Sequence, residues 1–233
     1  MSQPSNHSET DAVVERYARR RTGDRYSLLR PDVWQGLQER QRAMLRLFHD
    51  DLSWSHLSDL SLVDVGCGTG GNLLDFLRIG FQPQNMHGLE LLSERAQEAR
   101  RVLPPTLSIL EGDANSVEIG PSSQDIVFQS VVFSSLLDDD FQKALAARMW
   151  HWTKPGGGVL WYDFIYNNPG NPDVRGVPIR RIRELFPEGK LKFKRVTLAP
   201  PISRRVCRIH PSAYNLLNAI PWLRTHVLCW IQK

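Results

Sequence analysis

The sequence predicts an α/β fold, a parallel sheet with helices on both faces. Three observations predict it. An apolar run from Leu60 to Val65 ends in the glycine-dense turn Gly66-Cys67-Gly68-Thr69-Gly70-Gly71 and continues into a helical pattern. Short apolar runs then alternate with helical patterns as far as Phe164, and such alternation builds parallel strands joined by crossover helices. One run, Asp125-Ile126-Val127-Phe128-Gln129-Ser130, is apolar at consecutive positions, as a strand covered on both faces must be.

The elements follow in order. Residues 1–12 are polar, lack the apolar stretch of a signal peptide, and predict a disordered tail. Residues 13–56 predict a helical extension or lid, with helical patterns at Val13–Arg21 and Asp32–Asp51 around a loop at Arg25–Pro31. Trp34, Leu37, Met44, Leu45 and Phe48 are spaced for one buried face. Residues 57–233 form the main domain. Its expected strands are Ser61–Val65, Asn85–Leu89, Leu107–Leu110, Asp125–Ser130 and Gly158–Phe164, with helices at Asn72–Leu77, Ser93–Leu103 and Phe141–Trp150. Asp138-Asp139-Asp140 reads as the cap of that last helix rather than a metal site. A Pro- and Asn-rich loop at Asn167–Asp173 precedes a helix at Pro178–Phe186 and two strands, Leu191–Leu198 and Thr225–Gln232. Between these strands lies an insertion at about 200–223 with a helical stretch, Ala213–Ile220. Its Ile209, Leu216, Leu217, Ile220, Trp222 and Leu223 stand near Arg204, Arg205 and Arg208. That composition suits an amphipathic segment lying on a membrane surface; a helical stripe of this kind also packs on a core.

The glycine turn has two readings. Gly66, Gly68 and Gly71 satisfy the dinucleotide pattern G-x-G-x-x-G. Asp64, Gly66, Gly68 and Gly70 satisfy D-x-G-x-G-x-G. In either, glycine allows positive φ and close ligand approach, and the helix start offers free N–H groups. NAD would need room for a pyrophosphate. S-adenosyl-L-methionine would need a carboxylate near the first strand for its ammonium. Glu90, ending the second strand, suits ribose hydroxyls in both cases. Two further turns follow, Glu111-Gly112-Asp113-Ala114 after the third strand and Lys154-Pro155-Gly156-Gly157-Gly158 before the fifth.

In this order and spacing, Leu57 to Asp163 resembles the class I S-adenosylmethionine-dependent methyltransferases. The resemblance implies a Rossmann-like seven-stranded sheet whose last strand inserts to form an antiparallel hairpin. It implies S-adenosyl-L-methionine as cofactor. Asp64, Gly66, Gly68 and Gly70 would border the methionine part, and Glu90 would hold the ribose diol. Leu91 would pack on adenine, Asp113 with Ala114 would read its edge, and Gln129, at the end of the fourth strand, would also contact the cofactor.

The outer segments Arg25-Tyr26-Ser27, Gln38-Glu39-Arg40, Tyr166-Asn167-Asn168-Pro169, Asn171–Gly176, Leu198–Pro201 and Leu223–His226 resemble methyltransferases associated with bacterial surface-polysaccharide synthesis. That implies a sugar hydroxyl as acceptor, on a small molecule or a lipid-linked or nucleotide-linked glycan. An acceptor should lie beyond the carboxyl ends of the strands, above Gln129–Phe133, Asp163–Asn171 and the N-terminal segment. An alcohol benefits from a base; Asp163 is the first candidate, with loop capping as its other reading. Tyr26, Tyr166, Asn167, Asn168 and Arg175 are candidate acceptor contacts, the asparagines by donor and acceptor chemistry or by turn chemistry. Tyr17, Arg20 and Tyr26 could form a lid.

Composition bounds these readings. The length of 233 residues suits one α/β domain with extensions. Three cysteines without a paired motif point to a reducing cytoplasm rather than a disulfide framework. The seven histidines lack metal-ligand spacing, so no metal is expected. No stretch is apolar enough to span a membrane. Arg175 to Arg208 holds eleven Lys/Arg against two Glu. This suits a phosphate-bearing partner, the inner face of an anionic membrane, or a solvated face. It keeps open an RNA methyltransferase, or a membrane-peripheral protein with the fold and no catalysis. Against nucleobase methylation, the resemblance would place an Asn/Asp-Pro-Pro-aromatic motif after the fourth strand, where Gln129-Ser130-Val131-Val132-Phe133 stands.

Overall fold

The computed structural model describes residues 8–19 and 23–233. Seven strands form one sheet: β1 (Leu62–Val65), β2 (Met86–Glu90), β3 (Ser108–Glu111), β4 (Gln124–Ser130), β5 (Thr153–Phe164), β6 (Lys190–Leu198) and β7 (Arg224–Gln232). Their order is β3-β2-β1-β4-β5-β7-β6. The first five are parallel, and β7 runs antiparallel between β5 and β6. This is the expected Rossmann-like sheet with its inserted final strand.

Side chains alternate across a strand, and the core divides accordingly. Leu62, Phe128, Leu160, Tyr162, Leu228 and Trp230 face one layer, with α2 (Pro31–Arg46) and α3 (Gly71–Arg78). Val63, Val127, Val159, Trp161, Val227 and Cys229 face the other, with α5 (Asp139–Trp152) and α6 (Ile179–Leu185). The helix α4 (Ser93–Val102) packs its Ala96 and Ala99 in the first layer. The far edge, β6, presents Lys190, Lys192, Lys194 and Arg195 to solvent, which discourages pairing with another strand.

Four details depart from expectation. The first helix, α1 (Glu9–Ala18), starts inside the expected tail, where the Ser8 hydroxyl accepts the Asp11 N–H at 3.2 Å. Its buried face is small, Val13 and Arg16, so apolar periodicity carries little signal there. Residues 1–7 and Arg20 lie outside the described residues. On α2, Leu45 is 43% exposed, while Met44, Leu47 and Phe48 are buried. The helix widens into a π turn at Leu47–Asp51, which shifts the inward stripe off the regular 3.6 spacing. In the insertion, α7 (Pro200–Ile209) precedes α8 (Ala213–Asn218). The two prolines of α7 stand in the first turn, which tolerates them because its N–H groups have no helical partner. Finally, α5 begins at Asp139, and the Asp138 carboxylate accepts the N–H of Asp140 and Phe141 at 2.9 and 2.7 Å, the cap anticipated for that helix.

Candidate active site

The sheet changes direction at β1, with β2 and β3 on one side and β4 on the other. Crevices open at such switch points, beyond the carboxyl ends of the strands. Here the crevice holds a cavity of about 670 Å³. Gly66 to Thr69 form its floor, Glu90, Leu91, Asp113 and Ala114 one wall, and Ser130 to Val132 another. Thr10, Val13 and Tyr17 of α1 and Leu37 and Arg40 of α2 cover it.

Backbone geometry explains the floor. Gly66 and Gly68 have φ of +68° and +60°, a region that L side chains disfavour. A Cβ on Gly66 would stand 2.6 Å from Val132 Cγ2. Glu90 braces the turn: its carboxylate accepts the Gly68 N–H at 2.7 Å and the Leu92 N–H at 2.9 Å. Across the cavity, the Asp113 carboxylate accepts the Asn115 N–H at 2.9 Å and the Thr10 hydroxyl at 3.1 Å. The helix α1 is therefore tied to the wall. Its Arg16 pairs with Glu9 at 2.6 Å and donates to the Ser135 carbonyl at 3.1 Å.

Asp64 lies fully buried at the end of β1, and neither carboxylate oxygen has a hydrogen-bond partner. Burial pushes its carboxyl up to about 8, with the Arg40 charge and the Asn72 amide, which is nearby but outside hydrogen-bond geometry, opposing the rise and Glu90 adding to it. An ionised carboxylate here lacks compensation, so the position suits an added cation. Arg40 stands beside it on α2. Its guanidinium donates to Ser130 Oγ at 3.0 Å and Asn72 Oδ1 at 2.8 Å, lies over the Tyr162 ring at 5.1 Å, and leaves Nε buried without a partner. Helical patterning gives no sign that Arg40 enters the site, since an arginine on a long polar helix usually faces solvent; the resemblance names it only within Gln38-Glu39-Arg40.

The structure gathers Gly66, Gly68, Glu90, Leu91, Asp113, Ala114 and Tyr26 around the cavity and puts Asp64 beneath it. Other candidates stand elsewhere. Gly70 caps α3 with φ +88°, and a Cβ there would meet Leu103 Cδ1 at 2.8 Å. It serves packing against α4 and does not line the cavity. Gln129 is buried, donating to the Tyr162 carbonyl at 3.3 Å and accepting the Val132 N–H at 3.1 Å. It shapes the turn that holds Val131 at φ +54°. Asp163 is fully buried and accepts the N–H of Ser134 and Phe164 at 3.1 and 2.9 Å. Burial lifts its carboxyl to about 7, and it is not among the residues that line the cavity.

The acceptor candidates after β5 also lie away from the cavity lining. Asn167 Oδ1 accepts the Gly176 N–H at 2.9 Å, and Asn168 Oδ1 accepts the Gly170 N–H at 3.1 Å. Arg175 pairs with Asp139, and Tyr166 is exposed with Arg195 over its ring. These are the turn and surface roles that Asn, Gly and charged residues adopt locally; none of the four lines the cavity. Among the described residues, no group of acidic, His and Cys side chains could hold a metal ion, and no helix is long and apolar enough to cross a membrane.

Comparison with known proteins agrees with this geometry. Residues 62–157 match the family model described as a methyltransferase domain. An uncharacterized methyltransferase of Bacillus cereus (strain 03BB102) is 31% identical over 106 residues, covering 46% of this chain and 48% of that one. A Bacillus anthracis (strain A0248) relative gives the same figures. The chain thus spans about half the length of the relatives it matches. Among solved structures, a putative sarcosine dimethylglycine methyltransferase from Galdieria sulphuraria superposes with a TM-score of 0.62 at 10% identity, covering 86% of this chain and 88% of that chain. Phosphoethanolamine N-methyltransferase 2 from Haemonchus contortus, in complex with S-adenosyl-L-methionine, gives 0.58 at 17% identity, covering 83% and 52%. A putative methyltransferase from Haloferax volcanii, solved with the activator Trm112, gives 0.55 at 18%, covering 86% and 96%. The fold is that of the class I methyltransferases.

Proposed function

We propose that the protein is a methyltransferase that uses S-adenosyl-L-methionine and acts on a hydroxyl of a sugar or related small-molecule acceptor. The observation that carries the cofactor half is Asp64, a buried carboxylate with both oxygens unpartnered, set below a glycine turn in the methyltransferase fold. A cationic amino group suits a buried, unpartnered carboxylate, and a pyrophosphate does not. Arg40, cationic and with a buried unpartnered Nε, suits the carboxylate of the same amino acid. Glu90 and Asp113 face the cavity with acceptor oxygens for ribose hydroxyls and an exocyclic amine. When bound, the cofactor supplies a methyl group activated on a sulfonium sulfur.

The chain's own part is alignment and exclusion of water, which account for much of the barrier to a displacement of this kind. The helices α1 and α2 roof the cavity and Val131 and Val132 narrow it. The acceptor half rests on the resemblance of the outer segments and on Tyr26 at the cavity mouth. Part of the basic run that suggested RNA is paired within the chain, Arg175 and Arg181 with Asp139 and Lys194 with Asp51.

Calorimetric titration with S-adenosylhomocysteine, with NAD as control, tests the cofactor. Binding of the first alone is the expected result. Binding of neither, or of NAD alone, overturns the reading. Incorporation of labelled methyl into glycan rather than RNA fractions then tests the acceptor.

A further inference from the structure

The apolar residues of the 200–223 segment divide into two sets. The inner set closes a small satellite core, in which Leu198 of β6, Cys207 of α7 and Tyr214 of α8 are buried. Hydrogen bonds fix this unit to the domain: Gln35 Nε2 donates to the Pro211 carbonyl at 3.1 Å and Arg224 Nε to the Asn218 carbonyl at 2.7 Å. The outer set has no such cover. Ile209, Leu216 and Trp222 are 86%, 74% and 83% exposed. Tyr214 and Asn218, one turn apart, bury the inner side of α8, which turns Leu216 outward, and Ile220 continues the stripe one turn later.

Charge completes the pattern. From Gly189 to Lys233 the sequence holds nine Lys/Arg and no Asp/Glu. On α7, Arg205 and Arg208 are exposed beside Ile209. Among the described residues neither pairs with a carboxylate, unlike Arg175, Arg180, Arg181 and Lys194. Uncompensated positive charge therefore gathers where large apolar side chains meet water. A second copy of this surface would bring like charge against like. RNA would accept the arginines and leave Ile209 and Leu216 exposed. An anionic bilayer satisfies both sets, taking aromatic and aliphatic side chains at its interface and arginines at its phosphates.

We propose that α7, α8 and the turn into β7 dock on a membrane surface rich in anionic lipid, with Ile209, Leu216 and Trp222 entering the interface and Arg205 and Arg208 meeting headgroup phosphates. The helix α2 packs against this unit through Gln35 and carries Arg40 to the cavity from another face. Docking would thus hold the cavity at a fixed orientation to the bilayer. The proposal does not depend on methyl transfer.

Cosedimentation of the full chain with vesicles tests it. Binding is expected to phosphatidylglycerol–phosphatidylcholine vesicles and not to phosphatidylcholine alone, and should weaken with added salt. The double variant Arg205→Gln, Arg208→Gln should lower partitioning about 30-fold, at roughly a factor of five per arginine. Leu216→Ser with Trp222→Ser should also abolish it. All four side chains are exposed or on the outer face, so circular dichroism and S-adenosylhomocysteine binding should be unchanged in the variants. No binding to anionic vesicles, equal binding by the variants, or self-association lost in the apolar variant without vesicle binding would each overturn the proposal. Intact vesicle binding without S-adenosylhomocysteine binding would overturn only the methyl-transfer reading.

Discussion

Asp64 is a carboxyl whose ionisation the empty protein opposes. Burial holds it at about 8, against a usual 3.8. Between those values the folded state keeps a proton that the unfolded chain releases. The empty protein should therefore lose stability as pH rises from about 4 to about 8, then level off. A ligand ammonium favours the ionised form, so binding must expel the proton. Affinity for S-adenosylhomocysteine should rise with pH between about 6 and 8, by up to about tenfold per unit, and flatten above. Asp64→Asn should flatten the profile; a slope that survives this change would assign the proton elsewhere. Asp113→Ala should weaken the same binding by roughly 1.5–3 kcal/mol in a folded protein, the worth of a hydrogen bond to a charged group. The glycines should rank by space. Gly66→Ala forces a Cβ within 2.6 Å of Val132, whereas Gly68→Ala meets only the flexible end of Arg95 at 3.2 Å. Thermal melts should show Gly66→Ala destabilised by about 1–3 kcal/mol, the usual cost of overpacking, and Gly68→Ala by less. The reverse order would mean that the turn is shaped by something other than Val132.

At the scale of elements, α1 is the part that closes over the cavity, and few contacts hold it. Thr10 reaches Asp113, Arg16 reaches Ser135, and the Leu137 N–H donates to Glu9 at 2.7 Å. Arg16→Met should free this helix without melting the domain. Hydrogen exchange across residues 9–18 should accelerate, and bound S-adenosylhomocysteine should leave faster. Exchange unchanged in that helix would show that its other contacts, Thr10 on Asp113 and Glu9 on Leu137 among them, hold it without Arg16. The start of α1 was hard to read for the same reason that it is loosely held: a helix that buries Val13 and an arginine has almost no apolar period. By contrast β1, β2, β4 and the glycine turn were legible, because strands covered on both faces must be apolar throughout and a floor with positive φ must be glycine. In the loop after β5, the side chains of Asn168 and Asn167 accept from the backbone of Gly170 and Gly176. Sequence alone does not distinguish an amide that reads a ligand from one that caps a turn.

For the whole molecule, a ligand that binds only the folded state should stabilise it as a unit. At about 100 times its dissociation constant, S-adenosylhomocysteine should add about 2.7 kcal/mol, which raises the midpoint of thermal unfolding by roughly 5–10 °C in a domain of this size. Differential scanning calorimetry checks this; an unshifted midpoint would contradict a cofactor seat between α1 and the sheet. The sheet order followed from the resemblance of the motifs rather than from the residues of β6 and β7, whose patterns fit several pairings. The insertion of β7 has a consequence for synthesis on the ribosome. It follows every other strand in sequence, yet it lies between β5 and β6. Until Arg224 to Gln232 has left the exit tunnel, β5 stays an open apolar edge bearing Val159 and Trp161. A nascent chain at that stage offers a hydrophobic strand for pairing and is the species a chaperone or protease meets.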